Sequence, residues 1–260
     1  MDLDVLNETE LIALPQVEQA MAWLVQHGPV VADPPIENWI MRRLVETHRV
    51  MRLRRSVYLA PTADARLPGV AATANALDPD GYVSGLAALA LHGLTDQDVA
   101  DWRSISTRRQ SDIAYGRVAV HFIYSPSRAR SGQRTTVRNA GDEVVLATPA
   151  QAVLDTLRFL PGQIDWLWTA RMLQEALARG SASTEEITSL LADDPAPSAA
   201  VARRLGFLFD ALGVEAPAGL EAISRATHDW TVSRDPRVVI DRWRLRSPYS
   251  LLEIQRGIRG

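Results

Sequence analysis

The chain has 260 residues, 47% apolar and 23% charged, which suits a soluble globular protein of two or three domains. It contains no cysteine, and all 28 of its Lys+Arg positions are arginine. Disulfides, thiolate–zinc sites, cysteine nucleophiles, lysine Schiff bases, Walker-type phosphate loops and lysine-dependent nuclease sites are thereby excluded. No apolar run approaches the ~20 residues of a membrane-spanning helix, and the acidic start MDLDVLNETE is unlike a secretory signal. A cytoplasmic chain with no membrane partner is expected.

The net charge of -3 conceals segregation along the chain. Residues 38–60 hold six arginines against one acid, and residues 103–138 hold eight against one, while the segments around them are acidic. Two concentrated arginine blocks in a weakly acidic protein point to a localised anionic partner.

In chain order, Val17, Ala20, Met21, Leu24 and Val25 recur at helical spacing within Pro15–His27, and Gly28-Pro29 stops that helix. Val30-Val31 is long enough only for a bridging strand. Asp33-Pro34-Pro35 reads as a helix cap and first turn. The helix predicted from Ile36 to about His48 buries Ile36, Ile40 and Leu44, leaving Asn38, Met41, Arg42, Arg43 and Glu46 toward solvent. Arg49–Pro61 (RVMRLRRSVYLAP) alternates as an antiparallel hairpin turning near Arg54–Ser56. Helix, helix and basic hairpin is the order of a winged helix, with the second helix in the major groove and the hairpin over the phosphates.

Residues 62–80 form a connector with room for one alanine-rich helix. Ser84 is placed to N-cap a short buried helix that Gly93 ends. Strands are expected at Trp102–Thr107, Arg117–Tyr124, Thr135–Asn139 and Glu143–Ala147, with a Gly141-Asp142 turn between the last two and a flexible loop at Ser125–Gly132. A helix follows at Pro149–Leu160. From Gln163 to Ala226 the pattern is helical with breaks at Gly180, Asp194–Pro197 and Gly213, and Trp230–Pro248 has the character of one or two strands.

Several residues invite chemical roles. Arginine reads guanine bidentately and asparagine reads adenine, so Asn38, Arg42 and Arg43 are candidates for base contacts. Arg49, Arg52, Arg54 and Arg55 are candidates for phosphate contacts, which need charge more than exact geometry. Arg108, Arg109, Arg117, Arg128, Arg130 and Arg134 form a possible second basic surface, or a merely solvated sheet face. His92 and Asp155 are read as structural, Asp193-Asp194 as the cap of the helix after it, and one of Trp166 and Trp168 as a possible surface residue. The five histidines (27, 48, 92, 121 and 228) show no metal-ligand spacing. No cofactor, metal or catalytic constellation is expected, and the chain is not read as an enzyme.

Three stretches, RVMRLRRSVYLAP (Arg49–Pro61), GYVSGLAALALHGLTDQ (Gly81–Gln97) and VVLATPAQAVLDTL (Val144–Leu157), together resemble the AbiEi family of antitoxins of type IV abortive-infection toxin–antitoxin systems. The resemblance spans roughly residues 15–160. It implies a winged helix that represses its own promoter at inverted repeats, and a C-terminal domain that counteracts an AbiEii-type nucleotidyltransferase toxin, directly or functionally. The chain departs from the family in having only Val30–Pro35 where a middle helix belongs. Either that helix is reduced to a turn, or the segment near Glu8–Leu14 supplies the first helix.

The expected fold is therefore α+β. Residues 1–61 form a winged helix-turn-helix, 62–80 a connector and 81–260 a mixed domain that is strand-rich over 81–160 and mainly helical over 161–230, with short strands in the tail. The expected function is repression of transcription through double-stranded DNA, coupled to antitoxin activity. The alternative is a stand-alone regulator whose C-terminal domain senses a ligand or defence signal.

Overall fold

The computed structural model describes residues 15–96, 98–159, 166–194, 198–233 and 235–259, which build eleven α-helices and three sheets. The class is α+β, as expected. The expectation for Glu8–Leu14 lies outside the described residues.

Helix α1 (Pro15–Gln26) buries Val17, Ala20, Met21 and Leu24 on a single face, the stripe its periodicity demands. Gly28, at φ +97°, turns the chain into strand β1 (Val30–Ala32). Residues 33–37 carry no helix; Asp33 donates its amide to the Ser56 carbonyl at 2.7 Å instead. Helix α2 therefore starts later than the prolines suggest, at Asn38, and runs to Glu46. It buries Ile40, Met41 and Leu44, while Ile36 ahead of it is half-buried. Met41 and the half-buried Arg43 are thus not the solvent-facing residues expected, because the helix packs on both α1 and the sheet beside it. Strands β2 (Met51–Arg54) and β3 (Val57–Leu59) form the hairpin, and β1 pairs with β3, giving the order β1-β3-β2.

Both faces of this small sheet are covered. Val31 faces inward to the α1–α2 core, and Tyr58 packs against that core from its edge. On the opposite face, Leu53, Val57 and Leu59 join the core of the rest of the molecule, with Val30 and Met51 packed against it. Strand alternation of side chains makes such a two-sided layer possible. Each of those three buried aliphatic residues contributes roughly 1.5–3 kcal/mol by leaving water.

The larger body is built on a six-stranded mixed sheet, order β6-β7-β5-β4-β9-β8. Its strands are β4 (Tyr82–Ser84), β5 (Asp101–Ser106), β6 (Ile113–Tyr115), β7 (Val118–Tyr124), β8 (Arg134–Asn139) and β9 (Asp142–Ala147). The β8–β9 turn is Ala140-Gly141, one residue earlier than expected, because both adopt positive φ (49° and 91°) as a two-residue hairpin of this twist requires. Helix α3 (Val70–Leu77) lies in the connector, α4 (Gly85–Leu91) follows β4, and α5 (Pro126–Ser131) occupies the segment expected to be a flexible loop. Pro126 at its first turn favours that helix.

Helices α6 (Pro149–Phe159), α7 (Trp166–Ala178), α8 (Thr184–Ala192), α9 (Ala199–Leu212) and α10 (Ala218–Ser224) pack as a helical layer around the nearly all-buried α9. Ser198 caps α9 by accepting from the Val201 amide at 3.3 Å, and Gly213, at φ +69°, ends it. The tail adds a three-stranded sheet, β10 (Thr231–Val232), β11 (Val238–Ile240) and β12 (Leu245–Ser247), in the order β10-β12-β11, then a final helix α11 (Leu251–Arg259). Trp243 from this tail packs on Gly206 of α9 with no room for a Cβ between them.

One electrostatic clamp ties the connector to the sheet. Arg66 donates twice to the Asp142 carboxylate, at 3.1 and 2.6 Å, and the Gly69 amide donates a third bond at 2.8 Å. The Arg66 bond holds the Asp142 carboxyl below its usual range. A depressed folded value means the stabilisation is full above the unfolded pKa of about 3.9 and is lost as pH falls through the folded value. Asp142→Asn should therefore lower the thermal midpoint at pH 7, and the gap from wild type should narrow in melting curves as pH falls below the unfolded pKa of about 3.9.

Candidate nucleic-acid interface

Helix α2 and the β2–β3 hairpin meet at an angle that leaves a concave cleft of about 510 Å³ between them. The helix contributes Asn38, Met41, Arg42, Val45 and Glu46; the hairpin contributes Arg52, Arg55, Ser56 and Tyr58. Three guanidinium groups and one carboxylate give the cleft a positive balance. A smaller hollow continues from it past Asp33, Pro34 and Ile36, again bounded by Asn38, Ser56 and Tyr58.

The positions of these side chains follow from local structure. Asn38 is the first residue of α2, after a Glu37 whose carboxylate is engaged by the Trp39 indole N–H at 2.7 Å. Arg42 is exposed one turn later, with its Nε 3.6 Å from Glu46. Arg52 lies opposite Tyr58 across the hairpin, and the register then shifts by a bulge before Arg54 opposes Val57. Such a bulge re-aims the side chains around it. Ser56, at φ +56°, makes the tight turn that presents Arg55 beside the helix.

Four of the seven residues expected at a DNA surface thus converge: Asn38, Arg42, Arg52 and Arg55. The other three do not line the cleft. Arg43 is mostly buried beside Glu46, at 3.8 Å. Arg49 is turned back to α1, where it donates to Glu18 at 2.8 and 3.3 Å and lowers that carboxyl's pKa. Arg54 donates to the Ser111 carbonyl in the β5–β6 connection and so fastens the hairpin to the larger body. Residues that line the cleft without having been anticipated there are Met41, Val45, Glu46, Ser56 and Tyr58. The period-2 alternation of Val57-Tyr58-Leu59 already sets Tyr58 on the face opposite its buried neighbours.

The second arginine block is dispersed. Arg117 lies in the β6–β7 turn at one edge of the large sheet, and Arg134 begins β8 at the other, where it donates to the Asp80 and Ala129 carbonyls. Arg108 donates to the Leu77 carbonyl at 2.6 Å, Arg109 lies 4.8 Å over the Tyr124 ring, and Arg130 is exposed on α5. Arg128 does not belong to any surface: it is 6% exposed and paired with the buried Asp194. Burial on the inner side of α5 turns this arginine into a scaffold residue.

That pair is the centre of a buried polar cluster. Asp194 also binds Arg158, whose pKa burial and the nearby Arg128 push down to about 10. Asp194 is therefore not the cap of the following helix, a role that Ser198 takes. Close by, Asp155 accepts from Tyr82 at 3.0 Å, Ser84 at 2.7 Å and Gln151 at 2.8 Å. Burial raises its pKa despite these donors. Ser84 spends its hydroxyl here and makes no side-chain cap on α4. His92 hydrogen-bonds to the Ala147 carbonyl at 2.8 Å. Trp166 is buried against Phe207, and Trp168 is half-buried. Among the described residues, no three histidine, aspartate or glutamate side chains converge as a metal-ligand set, and no helix is long and apolar enough to cross a membrane.

No family model and no curated protein matches the chain. The fold does have a solved counterpart. The crystal structure of the RV2827C protein from Mycobacterium tuberculosis is similar over 95% of this chain and 96% of that one, with a TM-score of 0.57 at 14% identity. The likeness extends over the helix–hairpin unit and the larger body together, and at that identity it speaks to fold alone.

The buried cluster has a measurable consequence. Removing Asp194 leaves two enclosed guanidinium groups without their shared carboxylate, and breaking a buried pair from one side costs about 3–5 kcal/mol. Asp194→Ala should lose stability of that order in urea unfolding, whereas Arg130→Ala, on the exposed side of the same α5, should change it by less than about 0.5 kcal/mol.

Proposed function

We propose that this chain is a double-stranded-DNA-binding transcriptional repressor, with residues 1–61 a winged helix-turn-helix and α2 its recognition helix. The observation that carries the proposal is the single cleft in which Asn38 and Arg42 from α2 meet Arg52 and Arg55 from the hairpin. An α-helix with its side chains is about 10–12 Å across, suited to a major groove about 12 Å wide. The order β1-β3-β2, with α2 between β1 and the hairpin, is the arrangement a winged helix requires, and the turn at residues 33–37 stands where a middle helix would be. In this reading Asn38 and Arg42 address base edges, and Arg52 and Arg55 hold phosphates. The lack of lysine is no obstacle, since arginine supplies both planar base readout and phosphate pairing.

The resemblance of the three stretches to the AbiEi family supports a narrower version of the proposal. In it the repressor acts on its own promoter, and the larger body serves as the antitoxin against a nucleotidyltransferase-like toxin.

The test is a mobility-shift titration on the chain's own upstream promoter against a scrambled duplex at two salt concentrations. Specific, salt-sensitive retardation is expected. Arg42→Ala should cost roughly 1–3 kcal/mol on the promoter duplex and little on the scrambled one. Arg52→Ala and Arg55→Ala should weaken both duplexes and flatten the salt dependence by about one unit of slope each. Arg49→Ala should leave the slope unchanged. Equal retention of both duplexes at every salt concentration would count against sequence-specific repression.

A further inference from the structure

The cleft contains a carboxylate, and a phosphate-binding surface has no use for one. Glu46 lines it together with Asn38 and Arg42, and the three stand at i, i+4 and i+8 of the same helix. Two observations set Glu46 apart from an ordinary surface acid. It occupies the last turn of α2, at the negative end of the helix dipole, where an acid is locally unfavourable. It also gains little from its neighbours: the approaches of Arg42 and Arg43, at 3.6 and 3.8 Å, are longer than hydrogen bonds, and its side chain is 53% exposed. The two ion pairs are only a weak local compensation, and a residue that breaks a local rule for so little return is expected where function requires it.

The spacing suggests what that function is. Four residues of α-helix rise about 6 Å, close to two base-pair steps of about 3.4 Å each. A helix lying along the major groove would then present Asn38, Arg42 and Glu46 to base pairs roughly two steps apart. The three side chains differ in chemistry, and each matches a different base edge: asparagine the N6/N7 edge of adenine, arginine the O6/N7 edge of guanine, and glutamate the N4 amino group of cytosine. On the strength of the DNA-binding reading above, we infer that Glu46 is a specificity-determining residue. It accepts a hydrogen bond from the N4 amino group of a cytosine about two base-pair steps from the guanine read by Arg42. Released from Arg42 as that guanidinium turns to its base, the carboxylate selects for the amino group. It also selects against non-specific sites, where it would face only phosphates.

Selection of preferred duplexes from a randomised library, followed by anisotropy titrations on single-base-pair variants, tests this with the full-length chain. Wild type should prefer cytosine at one position by roughly 5- to 150-fold over thymine. Glu46→Gln should lose that preference or exchange it for adenine, keep the preferences at the other positions, and bind the scrambled duplex at least as tightly as wild type. Glu46→Asp, which keeps the charge but shortens the reach, should retain only part of the preference. Unchanged preference at every position in Glu46→Gln would overturn the inference while leaving the DNA-binding reading intact. Loss of preference at every position at once would assign Glu46 a structural role and overturn it too. Failure of the wild-type chain to bind any duplex would remove the reading on which it rests.

Discussion

The β2–β3 hairpin belongs to two cores at once, and the rest of the structure depends on that arrangement. Leu53, Val57 and Leu59 enter the core of the large body, while Tyr58 on the other face packs toward α1 and α2. The hairpin therefore has no freedom to swing as an isolated appendage, and Arg54 fastens it further to the Ser111 carbonyl. The backbone that carries Arg52 and Arg55 is thus fixed beside α2, while the two side chains are exposed. A hairpin already in position has no backbone freedom left to lose on meeting an anion, which favours binding through preorganisation.

A chain with arginine as its only strongly basic residue uses that residue in two opposite ways. Arg128 and Arg158 are buried around Asp194, Arg203 is buried with its bonds directed to Ser224, Thr227 and Thr231, and Arg204 reaches the Leu157 carbonyl. These tie α5, α6, α8, α9 and the tail together. Weak hydration and a planar fork suit arginine to such enclosed sites. Arg52 and Arg55, by contrast, have no carboxylate partner among the described residues and face the open cleft. Linear charge density along the sequence does not separate these uses. The block at residues 103–138 is as basic as the block at 38–60, yet its arginines are spread over both edges of a sheet, and one of them is internal.

Much of the fold was legible where periodicity and punctuation agree. Gly28-Pro29 ends α1, the Val57-Tyr58-Leu59 alternation marks a strand, and Gly180 and Gly213 separate helices that their apolar faces announce. What was not legible depends on distant partners. Ile113–Tyr115 is too short to stand out, and becomes β6 only because β7 lies beside it. Ser84 looks like a helix cap until Asp155, 71 residues away, takes its hydroxyl. LLEIQRGIR does carry an apolar stripe at helical spacing, Leu251, Ile254 and Ile258, but its place is set by the core it packs against as α11. The candidate site was half legible for the same reason. Helix and hairpin were recognisable singly, but which arginines share a cleft is set by the angle between them. The bulge after Arg52 and the ties of Arg49 to Glu18 and Arg54 to Ser111 decide it.

The central claim is that DNA lies against the cleft between α2 and the hairpin, and the absence of cysteine allows it to be tested by proximity. A Ser56→Cys variant, labelled with a photo-crosslinker at its only thiol, would be irradiated with the promoter duplex. Ala222→Cys on α10 would serve as the reference position. The account predicts efficient crosslinking from position 56, confined to a few adjacent nucleotides, and none above background from position 222. Crosslinking from 222 that equals or exceeds that from 56 would contradict it and place the nucleic acid on another face of the molecule.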